Sequence, residues 1–154
     1  MNRRAQIALT PEEQRGYLED SHTIILASND RHGYPHPVAM WYLAESDGAV
    51  AMTTFRKSQK ALNLRRDPRC TLLLESGRTY PELKGVIIRG RAEIDDDTEH
   101  VLDVLEAVQR KYNPGPVEGL RDALRGQASK RCVIRVRPER VSSWDHSKLG
   151  AGVY

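Results

Sequence analysis

The sequence predicts a mainly β domain, an antiparallel barrel of about six strands with helices at its periphery. Three observations lead to this fold class. Short β-branched or alternating apolar segments recur along the chain, tight turns separate them, and helical segments are few. A doubly wound parallel sheet would need a helix after nearly every strand, and that alternation is missing. The chain has 154 residues, enough for its own core, and we expect residues 1–154 to form one domain.

The composition excludes several classes of protein. The chain is 39% hydrophobic and 29% charged, which is ordinary for a globular domain and unlike a disordered tail. No apolar run approaches the ~18 residues of a membrane span, and no signal peptide follows Met1. The two cysteines, Cys70 and Cys132, lack metal-ligand spacing and are expected to be buried reduced thiols. We therefore expect a cytoplasmic protein that does not bind membranes.

The first half of the chain predicts one helix and three strands. Thr10 can cap a helix that begins at Pro11, with Glu13 completing a capping box, and this helix is expected to end near Asp20. Turn sequences separate three apolar segments, which we expect to pair as an antiparallel meander. These segments are residues 23–28, 35–43 and 49–54.

The second half predicts further strands and three helices. A short helix capped by Ser58 is expected to run through Arg66. Gly90 lies inside an alternating strand and suggests a bulge or a close backbone approach, and Pro138 is expected to interrupt the last strand. The remaining predicted strands are residues 70–75, 85–94, 131–137 and 141–144, and the remaining helices begin after Asp97 and at residue 117.

Positive charge is concentrated in one segment. Residues 56–69 carry a net charge of +5, and the rest of the chain carries −2. A local block of this kind favours a local anionic ligand over a nucleic-acid surface. Aromatic side chains that could stack on bases are not interleaved with the block, where only Phe55 stands close by. We therefore expect no nucleic-acid partner.

The strongest functional signal lies where the third predicted strand meets the helix capped by Ser58. Free backbone N–H groups at a helix start bind anions, and lysine or arginine side chains add charged hydrogen bonds to a phosphate. Cations at a helix N-terminus oppose its dipole unless an anion is bound. The segment therefore favours a phosphate site, with a charged and solvated helix as the alternative. The candidate phosphate-binding residues are Thr53, Thr54, Arg56, Lys57, Ser58 and Lys60.

Motifs of other catalytic classes are missing. The sequence holds no Walker-type phosphate loop, no dinucleotide-binding glycine motif, no zinc-protease motif and no nucleophile elbow. The five histidines share no metal-ligand spacing, so no metal site is expected. No side chain stands out as catalytic.

Three segments of the sequence resemble a known family. Residues 33–37, 53–69 and 80–94 are similar to the pyridoxamine-phosphate-oxidase-like flavin-binding split barrels. The most specific part is the motif K-x-x-N-L-x-x-D-P-R of residues 60–69. Within that family the chain, including its ending at residues 143–150, most resembles the actinobacterial flavin/deazaflavin oxidoreductases that use coenzyme F420. The resemblance extends over residues 23–154.

The resemblance implies a six-stranded split β-barrel of the FMN-binding type that forms a homodimer, with two cofactor sites across the subunit interface. The candidate phosphate-binding residues would hold the cofactor phosphate and the nearby ribityl chain. The strand of His36, Pro37 and Val38 would line the ring. Lys84 and Trp144 of the second subunit would cover the ring or tail, with interface packing as the alternative for Trp144. A helix within residues 1–20 would precede the barrel, and residues 139–154 would lie at the interface.

The resemblance also implies a function, the F420-dependent transfer of a hydride to an unsaturated or conjugated small molecule. The acidic tail of F420 would need further cations along a groove, which Arg56 and Lys57 beside Lys60 could supply together with Lys84, Arg89 or Arg91. Cross-strand pairing on the surface is the alternative for Arg89 and Arg91. An FMN-binding oxidoreductase and a non-catalytic cofactor or tetrapyrrole binder are the alternatives. Oxidation of vitamin B6 is disfavoured, because no substrate-phosphate motif follows Arg135.

Overall fold

The computed structural model describes residues 3–116 and 118–150, and these form one curled antiparallel sheet with helices around it. The helices are α1 (Arg3–Ile7), α2 (Pro11–Asp20), α3 (Gln59–Arg66), α4 (Thr98–Tyr112) and α5 (Leu120–Ala128). The strands are β1 (Ile24–Asn29), β2 (Pro35–Met40), β3 (Leu43–Ala44), β4 (Val50–Phe55), β5 (Arg69–Ser76), β6 (Lys84–Asp95) and β7 (Arg131–Asp145). Within the described ranges, none of these helices has the length and apolar character needed to span a membrane.

The strand order corrects the predicted meander. It is β2-β1-β5-β6-β7-β4-β3, so β2 and β3 lie at opposite edges of the sheet, and β2 does not pair with β4. The apolar segment of residues 35–43 is therefore two strands, joined only by Trp41 and Tyr42. Three consecutive Cα–Cα steps span about 11 Å at most, so the two edges must lie close together. The sheet thus curls into the expected split barrel, with seven strands where about six were predicted.

The apolar core has two parts. The inner face of the curled sheet encloses buried side chains from β1, β4, β5, β6 and β7, among them Leu26, Met52 and Ile88, and Leu64 of α3 packs against them. On the outside of β4 and β7, the apolar stripe of α4 and residue Leu124 of α5 form a second cluster. That stripe consists of Val101, Leu102, Val104, Leu105 and Val108, as its spacing predicts.

The β6–β7 strand pair is the longest pairing in the sheet and contains the predicted irregularity. The register shifts between Arg89 and Gly90, and a Cβ added at Gly90 would lie 2.2 Å from the carbonyl oxygen of Arg137. Pro138 does not interrupt β7, contrary to the prediction. It pairs with Gly90 at this shift, where a missing N–H donor is tolerated, so the strand continues to Asp145.

Most of the local predictions are confirmed. Thr10 and Glu13 form the capping box of α2, Ser58 caps α3, and both cysteines are free and buried. The helix predicted from residue 117 begins instead at Leu120, and residue 117 itself lies outside the described residues. The N-terminal segment holds two helices, α1 and α2, where one was expected. The predicted interface tail is described only as far as residue 150.

Candidate functional site

Three predicted site residues meet where β4 ends and α3 begins. The Ser58 hydroxyl caps α3 by accepting a hydrogen bond from the Ala61 N–H at 3.4 Å. The same hydroxyl lies 3.2 Å from Oγ1 of Thr54, and Nζ of Lys60 donates to that Oγ1 at 3.1 Å. We call Thr54, Ser58 and Lys60 the Lys60 cluster. It places an ammonium group and two hydroxyl groups beside the first turn of a helix, where backbone N–H groups favour an anion.

Four of the six cations in the basic block are bound within the fold. Arg56 donates to the carbonyl oxygens of Arg131 and Asp96 at 2.7 and 2.6 Å. Arg65 forms an ion pair with Asp96 at 2.7 Å. Arg66 donates to the carbonyl oxygen of Asn29, and Arg69 forms an ion pair with Asp67 at 2.8 Å. The guanidinium groups are thus engaged, including that of the predicted ligand Arg56.

The two lysines of the block are different. Among the residues that the structure describes, neither Lys57 nor Lys60 forms an ion pair with a carboxylate. Lys57 is exposed, whereas Lys60 is only partly accessible. Burial lowers the pKa of Lys60, and the positive charge of Arg131 lowers it further, although Cys132 opposes this. The fold therefore holds a cation in poorly solvated surroundings without a counter-charge, which is what a bound anion would supply.

Arg131 is a site residue that the sequence analysis missed. It lies opposite Phe55 in the β4–β7 pairing, and its guanidinium carbon is 4.5 Å from the centre of the Phe55 ring. Its Nε is buried and, over the described ranges, has no hydrogen-bond partner. The only signal in the sequence was the basic pair Lys130-Arg131 at a strand start, 76 positions after Phe55 in the case of Arg131.

A cavity lies next to this arginine. It has a volume of about 500 Å³ and is lined by Phe55, Arg56, Lys57, Ser129 and Lys130. Two of these side chains are exposed lysines, and the turn between α5 and β7 contributes the second of them. The lining of this cavity is therefore positively charged.

The predicted residues of β2 lie on the other side of the α3 start. Gln59 lines a cavity of about 600 Å³ together with His36, while its neighbour Ser58 contacts Thr54 of β4. Nδ1 of His36 is buried without a hydrogen-bond partner in the described part of the chain. Val38 packs against the core on the side of His36, and Pro37 is exposed on the opposite face of the strand.

The remaining predicted residues do not join the Lys60 cluster within one chain. Thr53 faces away from Thr54, because neighbouring strand residues point to opposite faces. Lys84 lies at the far end of β6, 3.7 Å from Asp145, and Trp144 packs on Gly85 there. Asp95 of β6 pairs with Val133 of β7, which in turn pairs with Thr53 of β4. Lys84 lies about 36 Å along the strand from Asp95, and therefore from the row that contains Thr53. The Lys60 cluster and the pair Lys84 and Trp144 thus lie at opposite ends of the β6–β7 strand pair.

The two arginine candidates for the groove differ. Arg91 forms an ion pair with Glu139 at 2.9 Å. Arg89 is exposed and has no carboxylate partner among the residues described. Over the same residues, no group of three or more histidine, cysteine, aspartate or glutamate side chains could hold a metal ion. Among the candidate residues described above, the charges left without a partner of opposite sign are positive.

The sequence and the fold both match known proteins. Residues 10–145 match the pyridoxamine 5'-phosphate oxidase family. The conserved hypothetical protein Rv2991 from Mycobacterium tuberculosis is 38% identical to this chain with a TM-score of 0.90, over 98% of this chain and 94% of that protein. A search of curated proteins found no significant match.

Two more distant structures share the fold. An F420 reductase is 22% identical with a TM-score of 0.68, over 86% of this chain and 98% of that protein. An FAD-binding protein from Mesorhizobium loti is 22% identical with a TM-score of 0.63, over 88% of this chain and 94% of that protein. The family match covers most of the chain and agrees with the curled sheet described above. The chain therefore belongs to the pyridoxamine 5'-phosphate oxidase family, within the superfamily of flavin-binding split-barrel oxidoreductases.

Proposed function

We propose that this protein is a coenzyme F420-dependent oxidoreductase that transfers a hydride to an unsaturated or conjugated small molecule. The observation that carries the proposal is the Lys60 cluster, a partly buried ammonium group held by Thr54 and left without a carboxylate among the described residues. A ribityl phosphate would supply the missing negative charge. When bound, the reduced deazaflavin supplies the hydride, and the protein supplies orientation and electrostatics.

The side chains fit a phosphate-bearing cofactor. Lys60, Ser58 and Thr54 would hold the phosphate, with Lys57 and the unpartnered Nε of Arg131 adding donors. The buried Nδ1 of His36 provides a polar atom on the β2 side, where the ring is expected. Buried polar atoms in folded proteins are nearly always hydrogen-bonded, so two unpartnered nitrogens flanking one helix start favour a ligand there.

The choice of F420 over FMN rests on the extra acidic tail of F420. The cavity beside Phe55 is lined by the exposed lysines Lys57 and Lys130. A chain of carboxylates would be favourable along such a surface. The shared fold with an F420 reductase is consistent with this choice. FMN is the second candidate, because it presents the same phosphate and a neighbour of this fold binds FAD.

The proposal includes a homodimer with the cofactor sites across its interface. Lys84 and Trp144 lie about 36 Å of strand away from the row that contains Thr53. A second copy of the chain would bring its own Lys84 and Trp144 to the Lys60 cluster. Each site would then be completed by both subunits.

The proposal is tested by titrating the purified protein with F420 and with FMN and following cofactor fluorescence. We expect tight binding of F420 that inorganic phosphate weakens. In the Lys60→Met variant, affinity should fall by about 1.5–3 kcal/mol, the usual value of a charged hydrogen bond, because methionine keeps the side chain length and removes the ammonium group.

Lys111→Met is the matched control. Burial also lowers the pKa of Lys111, but its ammonium group lies over the rings of Tyr42 and Tyr112 at the end of α4. The control should bind F420 as the wild type does. Preferential FMN binding with cofactor-dependent oxygen consumption would replace F420 by FMN, and equal affinities of wild type and Lys60→Met would overturn the assigned site.

A further inference from the structure

A second cavity, separate from the Lys60 cluster, lies between the N-terminal segment and the β6–β7 strand pair. Its volume is about 640 Å³, within the range of small-molecule sites. Residues from α1 to Gln14 form one wall, and residues from Ile87 on β6 and from Arg140 onward on β7 form the other. We call it the α1 cavity.

The walls of the α1 cavity are apolar and polar in similar measure. Ile7 and Leu9 contribute apolar surface from the N-terminal segment, and Ile87, Val141 and Trp144 contribute it from β6 and β7. The Trp144 ring is packed on backbone, since a Cβ added at Gly85 would lie 2.2 Å from the ring. This contact holds the indole in place, so the aromatic wall is formed before any ligand binds.

The charge on the lining is only positive. Arg4 and Arg140 line the α1 cavity, and none of the described lining residues is acidic. Arg140 lies opposite Arg89 in the β6–β7 register, and neither forms an ion pair among the described residues. Like charges directly opposite each other destabilise a sheet. An anion at Arg140 would remove this conflict.

Neighbouring arginines of β6 and β7 do form ion pairs with carboxylates on the opposite strand. Arg137 forms an ion pair with Glu93 at 2.6 Å, and Arg91 does so with Glu139 at 2.9 Å. Arg140 is the exposed arginine of β7 that faces a cavity and has no carboxylate across the strand pair. A site with one such cation and an aromatic wall fits an anion with a flat apolar body.

Hydrogen bonds join the N-terminal segment to the far side of the α1 cavity. The Leu9 N–H donates to Oγ of Ser143 at 3.0 Å, and Nζ of Lys148 donates to the Ala8 carbonyl oxygen at 3.0 Å. Helix α1 has five residues, too few to be stable in isolation. Its position therefore depends on contacts with the rest of the chain.

We infer that the α1 cavity binds a flat, apolar or conjugated carboxylate, with Arg140 pairing the carboxylate and Trp144 contacting the apolar body. As a statement about the substrate class, this rests on the proposed function, because Trp144 is the residue expected to reach the partner subunit's cofactor. The hydride acceptor would then be a conjugated carboxylate. The binding site itself does not depend on which cofactor the protein uses.

The test compares two ligands that differ in charge alone, 2-naphthoate and its neutral amide, by isothermal titration calorimetry without cofactor. We expect 2-naphthoate to bind about tenfold more tightly or better, as a charged hydrogen bond allows. Arg140→Gln should abolish this preference, and Arg137→Gln, on the same strand but outside the cavity, should keep it. Trp144→Phe should weaken both ligands.

The outcomes separate this inference from the proposed function. Absence of binding, equal affinity of the two ligands, or an unchanged preference in Arg140→Gln would overturn the carboxylate site, whatever the cofactor titration shows. Loss of the preference in Arg137→Gln as well would mean a general surface charge effect and would also overturn it. Failure of F420 binding with an intact naphthoate preference would remove the identification as substrate and leave the site.

Discussion

The ammonium group of Lys60 lies beside two hydroxyl groups and, among the described residues, forms no ion pair with a carboxylate. The sequence identified this residue correctly as part of a cationic helix start, because spacing and capping are local features. It could not show that Arg56, Arg65, Arg66 and Arg69 are engaged within the fold, since their partners Asp96, Asn29 and Asp67 include residues distant in the chain. It also could not show Arg131, which reaches the site only through strand pairing.

A partly buried charge without a carboxylate partner among the described residues should cost stability. We expect Lys60→Met to stabilise the cofactor-free protein by about 0.5–2 kcal/mol, as substitutions that relax a functional site often do. Burial lowers the pKa of Lys60 in the folded state below 10.5. The cost is therefore present at neutral pH and disappears as the pH rises through the folded pKa towards 10.5, where the gain of the variant should shrink.

Chemical denaturation of both proteins at pH 7 and near pH 10 measures this effect. Lys111→Met should lose stability instead, because the Lys111 ammonium group lies 4.2 Å from the centre of the Tyr42 ring. A Lys60→Met protein that is less stable than wild type at pH 7 would show that Lys60 serves the fold.

At the scale of elements, the chain crosses between the sheet edges in two residues. Trp41 stacks on Tyr112 of α4 with the ring centroids 4.6 Å apart, and Tyr42 is fully buried, with its hydroxyl donating to the Leu18 carbonyl oxygen. These contacts fix a crossing that apolar periodicity cannot reveal, since periodicity predicts strands and not their partners. The bulge at Gly90 was predictable because a glycine weakens the interior of a strand and often marks a bulge or a close backbone approach.

Gly90→Ala tests the β6–β7 element. The added Cβ would lie 2.2 Å from the Arg137 carbonyl oxygen, which is backbone and cannot move aside. We expect a loss of about 1–3 kcal/mol, typical of overpacking. Gly126→Ala is the control, because its Cβ would meet nothing within 4 Å in α5, and it should gain about 0.5–1 kcal/mol. Equal stability of Gly90→Ala and wild type in urea denaturation would contradict the tight approach.

At the scale of the whole molecule, the predicted cofactor residues lie at the two ends of the β6–β7 strand pair. One end holds the Lys60 cluster, and the other holds Lys84, Trp144 and the α1 cavity. A symmetric dimer could join the two ends twice, once in each site.

Mixing two defective variants tests this arrangement. Lys60→Met and Lys84→Met should each bind F420 weakly on their own. After subunit exchange at equal amounts, about one quarter of all sites should regain wild-type affinity, because each mixed two-fold dimer contains one site with both lysines. Titration of the mixture and sedimentation of the dimer provide the measurements. No recovery in a freely exchanging mixture would show that both lysines act within one chain.

Local sequence was sufficient for the barrel class, the helix caps, the bulge and the cationic helix start, because each depends on residues only a few positions apart. The order of the strands, the closure at Trp41 and Tyr42, and the choice of which cations stay without partners depended on tertiary structure. Hydrogen bonds between strands and ion pairs such as Arg65–Asp96 join residues far apart in the chain. Their pairing is decided by the packing of the whole core, which no short segment encodes.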